Sequence, residues 1–150
     1  MRGGRLDQGA TLVAIRRAQL VIFVLGAVGT GLELMLLGHT EDAWQWAPLV
    51  LLFASLVALV WRSAGGGASS LRLFQGVMVL CLLVGLVGLG LHYQGNAEFE
   101  LEMYPSLRGI NLFWESLTGA TPALAPGTMV GLGLLGLAYT YRHPGLVERH

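Results

Sequence analysis

Four stretches of the chain run apolar with almost no interruption, and the polar residues gather between them. The first covers about residues 18–38 and is broken only by Glu33. The second, about 44–61, carries Pro48 near its start, where a helix tolerates proline. The third covers about 73–93. The fourth covers about 123–141 with Pro126 in its first turn. A bilayer core takes about 20 apolar residues per helix. The pattern therefore predicts an all-α integral membrane protein: one polytopic domain, 1–150, with four transmembrane helices in a compact bundle. An acidic link (39–45) and a Gly/Ser-rich link (63–70) join the first three stretches, and a long polar segment (94–122) precedes the fourth.

That long segment has a pattern of its own. Glu98, Glu100 and Glu102 alternate with Phe99, Leu101 and Met103, which predicts an extended piece with acids on one side. Beyond it, Leu107, Ile110, Trp114 and Leu117 recur at helical spacing beside Phe113, while Arg108, Asn111, Glu115 and Thr118 take a neighbouring arc. The spacing predicts a short amphipathic helix over 107–118, stopped by Gly119. It is too short to span. Phe113, Trp114 and Leu117 are expected to cap the bundle or to lie in the membrane interface.

Composition agrees with a bilayer. The chain is 54% hydrophobic and 12% charged, against about 25% charged for a soluble domain. Mean hydropathy is +0.63. Net charge is zero, which gives no basis for a nucleic-acid partner. All basic residues are arginines. With four spans, Arg2, Arg5, Arg16, Arg17, Arg62, Arg72, Arg142 and Arg149 fall on one side and only Arg108 on the other. This positive-inside bias predicts cytoplasmic termini in a plasma or inner membrane. The outer side then carries Glu41, Asp42, Glu98, Glu100, Glu102 and Glu115. The first apolar stretch is longer than a signal-peptide core and no A-x-A site follows it, so it is read as retained.

Candidate chemistry is sparse. Glu33 lies in the outer third of the first span, where an ionised carboxylate is costly unless paired, hydrated or protonated. It shares a helical face with Gly26, Gly29 and Thr30. The third span has a matching face, Cys81, Gly85, Gly88 and His92, and His39 ends the first span. The expectation is a buried polar cluster of Glu33, His39 and His92 near the outer face. Gly26, Gly29, Gly85 and Gly88, with the GxxxG pair Gly127 and Gly131, are read as close-packing positions, within the chain or between copies or partners. His39 and His92 are also candidate axial ligands of a haem. His92 with Glu98, Glu100 and Glu102 is a weaker candidate for a divalent cation, since the spacing matches no zinc pattern. No cofactor is required by any motif. No nucleophile–base–acid set and no phosphate loop is present, so the chain is expected not to be an enzyme. Three functions follow. The first is a non-enzymatic accessory or interaction subunit of a larger membrane assembly. The second is a small proton- or ion-coupled transporter using Glu33. The third is a haem or metal protein using His39 and His92.

Overall fold

The computed structural model describes residues 2–119 and 126–146, with side chains from residue 8 onward. Five α-helices make up nearly all of it: α1 (Arg2–Leu36), α2 (Trp46–Ser63), α3 (Gly67–Met103), α4 (Gly109–Leu117) and α5 (Gly127–Thr140). Short 3₁₀ turns at Ala43–Gln45 and Pro144–Leu146 precede α2 and follow α5. The described residues contain no strand. Three segments, Gln8–Leu36, Ala43–Ser63 and Gly67–Met103, are long and apolar enough to cross a membrane. α5 is equally apolar but has 14 residues, about 21 Å at 1.5 Å per residue. Residues 123–125, the expected start of the fourth stretch, lie outside the described residues.

α3 departs from the expected pattern. It does not stop at residue 93 and give way to an extended piece. It continues as one helix of 37 residues, about 55 Å long. The alternation over 98–103 is too brief to impose a strand. The residues involved are three Glu with Phe99, Leu101 and Met103; Glu, Leu and Met are good helix formers and none of the six is β-branched. Gln94 Nε2 donates to Glu98 Oε1 at 2.8 Å across one turn, an i,i+4 pair that favours the helix further. What ends α3 is Pro105: Tyr104 before it takes φ −134°, ψ 79°, out of the helical region.

α3 is the central element. It packs against α2, α4 and α5, while α1 packs against α5 and α2. α5 runs antiparallel to both α1 and α3. Arg16, within the first half of α1, donates from Nη2 to the carbonyl oxygens of Tyr141 and Arg142, at 3.3 and 3.1 Å, just beyond α5. Farther along α1, Gly26 sits against Leu132 of α5. A turn with Gly65 at φ +95° and Gly67 at φ +58° joins α2 to α3, and this left-handed backbone suits glycine. Arg16, Arg62 and Arg142 thus collect at one end of the helices. Glu41, Asp42, Glu98, Glu100, Glu102 and Glu115 collect at the other.

The core sits toward the arginine end. Phe74 of α3 receives Phe23 of α1 edge-on at 5.1 Å and Tyr139 of α5 at 6.1 Å, the T-shaped geometry that ring quadrupoles favour. Leu71, Met78 and Cys81 fill in around them. Outside this core the helices present apolar side chains outward: Leu25, Leu36, Phe53, Val60, Leu83 and Leu134 are all well exposed. Such a surface matches a lipid environment.

Candidate functional site

The acidic end holds most of the candidate residues. Gly38, at φ +65°, turns the chain back after α1, and the N–H of His39 donates to the Leu34 carbonyl at 2.9 Å. This closure swings His39 toward α3. His92 lies two turns beyond Gly85 and one beyond Gly88, on the face of α3 turned to α5. The two imidazole centroids stand 6.5 Å apart with planes inclined by 39°. His92 is partly buried, and its Nδ1 is shut off from solvent without a hydrogen-bond partner.

Glu33 does not join them. It is exposed on the outside of α1, and among the described residues it has no hydrogen bond or ion pair with either histidine. The cluster expected from the sequence is therefore a pair, His39 and His92, with the carboxylate on a separate face. The reason is the register of α1. Phe23 and Ala27 are buried, and Thr30 and Leu34 are half-buried on the same side. In lipid the face is set by packing, and here the Phe23 ring seats edge-on against Phe74 at 5.1 Å with Ala27 buried one turn along. Glu33 then falls about 100° round the helix from Leu34.

The glycines divide in the same way. A Cβ on Gly26, Gly85 or Gly88 would press on Leu132, on Val130 and the Pro126 carbonyl, or on the Pro126 ring. Gly29, Gly127 and Gly131 have open space around them. The α5 glycines that meet α3 are Gly133, against Met78 and Leu82, and Gly136, against Met78 and Phe74. Gly131 lies nearly opposite Gly133 on the helix, so the GxxxG pair faces away from the chain's own core.

Glu98, Glu100 and Glu102 do not converge with His92. On a helix Glu100 points away from the other two, and no group of three or more His, Cys, Asp or Glu side chains comes together among the described residues. The cation site built from these acids is not formed.

α4 lies against α3. Ser116 is its buried residue and Leu117 is half-buried, while Phe113 and Trp114 remain 41% and 56% exposed. The Phe113 ring touches Tyr93 at 5.9 Å and Trp114 at 5.4 Å. The anchor is Asn96, which the sequence pattern did not single out. Asn96 is 3% exposed, donates from Nδ2 to the Ser116 carbonyl at 2.9 Å, and has Gly119 against its side chain. Its only sequence signal is its position one turn beyond His92, and that signal is visible only once residues 94–103 are read as helix.

At the arginine end, His143 takes a defined state. The N–H of Gly145 donates to its Nδ1 at 3.0 Å. Burial, with Arg16 and Arg62 nearby, holds its pKa below the ordinary histidine value. All of these favour the neutral imidazole.

Compared with protein-family models, curated proteins and solved structures, the chain finds no match.

Proposed function

We propose that the chain is a four-span membrane protein with cytoplasmic termini that acts as a non-enzymatic interaction subunit of a larger membrane assembly. The observation that carries this reading is Glu33. It sits on the outward surface of α1, beside Gly29 and among the exposed apolar residues Leu25, Leu32 and Leu36. A carboxylate facing hydrocarbon is costly, and a neighbouring helix with a basic or hydrogen-bonding side chain removes that cost. Gly29 beside it lets such a helix come close. The open GxxxG pair of α5 offers a second close-approach surface.

The span count is supported by α5, which runs antiparallel between two helices long enough to cross a membrane and has the same apolar character. The orientation is supported by the separation of arginines and acids to opposite ends. Labelling in intact cells tests it: a Glu100→Cys variant should react with an impermeant maleimide and a Ser69→Cys variant should not. The reverse pattern would sink the topology. A transport route through Glu33 has less support. The hollow of about 360 Å³ between α2 and α3 is lined by Ala43, Trp46, Ala47, Val50, Leu51, Leu80 and Val84, none of them titratable.

The partner reading is tested by a photo-crosslinking residue in place of Leu36, which is 88% exposed one turn from Glu33. The expected product in cells is a single discrete protein adduct. It should be lost in Glu33→Leu and retained in Glu33→Gln, whose amide still hydrogen-bonds. Lipid adducts alone, with the wild-type residue at position 33, would overturn the proposal.

A further inference from the structure

The histidine pair carries a reading of its own. The 6.5 Å between centroids is too long for a direct N–H···N hydrogen bond, which holds two imidazole centroids within about 5.2 Å. It suits a single bridging atom. Two imidazoles bound on opposite sides of one metal, at about 2.0 Å per bond, have centroids about 6.3 Å apart. His92 Nδ1 adds an independent observation. Among the described residues it is the one buried side-chain nitrogen or oxygen without a hydrogen-bond partner. An orphan of that kind is unfavourable, and a metal on its lone pair would remove the penalty.

The kind of metal follows from what the pair lacks. No third His, Cys, Asp or Glu joins it among the described residues. Zinc takes four ligands and calcium six to eight oxygens, so two imidazoles serve neither. Monovalent copper accepts two nitrogen ligands in line, and imidazole suits copper. Its single charge is also cheaper to hold in a partly buried site without a carboxylate than a double charge. The exposed acids at this end, Glu41 and Asp42 beside His39 and Glu98 and Glu102 on α3, draw cations toward it. We propose that His39 and His92 form a two-imidazole site for a monovalent copper ion at the acidic end of the helices.

The test uses the full chain in mild detergent, titrated anaerobically with Cu(I) against a chromophoric Cu(I) chelator. One equivalent should bind per chain. His39→Ala and His92→Ala should each weaken binding at least about tenfold with helical content unchanged. His92→Met should restore much of it, since a thioether is a good ligand for this ion. His143→Ala, at the opposite end, should bind as the wild type does. X-ray absorption should show two nitrogen scatterers. Three results would overturn the proposal. The first is no stoichiometric binding, which would leave a water-bridged pair. The second is binding that survives both histidine changes or is lost on Cys81→Ser. The third is a haem absorption band in the purified protein that His92→Ala removes, which would put haem iron between the rings.

Discussion

A Gly85→Leu variant should lose about 3 kcal/mol or more of its stability in detergent, whereas Gly131→Leu should stay within about 0.5 kcal/mol of the wild type. The two glycines lie on facing or outward sides of the same helix pair and differ only in what surrounds them. A Cβ at position 85 would come within 2.7 Å of Val130 Cγ2, 2.9 Å of the Val130 nitrogen and 3.0 Å of the Pro126 oxygen. A methyl carbon can move aside, but backbone atoms inside a helix cannot. α5 would have to back away from α3, and the contacts of Gly133 and Gly136 with Met78 lie on the same seam. Overpacking usually costs about 1–3 kcal/mol. The rigid obstacle puts this case at or above the top of that range, a large share of a net stability of about 5–15 kcal/mol. Equal melting of the two variants would show that α3 and α5 are not joined as described.

That contrast also shows which parts of the fold were legible in the sequence. Long apolar runs are visible because lipid demands them, and the cores of α1, α2 and α3 fall inside the runs read from the pattern. Which side of a helix faces its neighbour is less visible. In lipid both sides are apolar, and small residues mark close approach without naming the partner. The pair Gly127 and Gly131 has the more familiar spacing, yet Gly133 and Gly136 make the contact. α1 misleads for the same reason: Gly26 meets α5 as its spacing suggested, but Gly29 does not, and Phe23 and Ala27 fill the inner face. The six residues at 98–103 fit a strand and a helix equally by period, and only propensity together with Pro105 decides. Of the expected polar cluster, His39 and His92 were brought together because both end apolar segments at one depth. Glu33 was not, because its depth was readable and its azimuth was not.

Asn96→Leu should release α4 while leaving the rest of the chain folded. α4 has nine residues, and helices shorter than about 12–15 are marginal alone in water. It therefore depends on what it touches. Its last carbonyls have no partner within the helix. The Trp114 carbonyl is met locally, by the N–H of Thr118 at 3.1 Å and its hydroxyl at 2.9 Å. The Ser116 carbonyl is met from outside, by Asn96 Nδ2. Removing that donor leaves a polar group facing an apolar side chain, at a cost of about 1–3 kcal/mol. A leucine in the same space also has to share it with Gly119, which already packs on the Asn96 side chain. Hydrogen exchange across Gly109–Leu117 should accelerate by about 5–30-fold, the factor that 1–2 kcal/mol represents. Exchange around Phe74 and Met78, in the core of α3, should not change. Asn96→Asp sharpens the test because it keeps the size and replaces the donor with a carboxylate that repels the Ser116 oxygen. It should free α4 at least as much as leucine does. If α4 exchanges at the wild-type rate in both variants, its attachment to α3 rests on the Phe113–Tyr93 ring contact and not on Asn96.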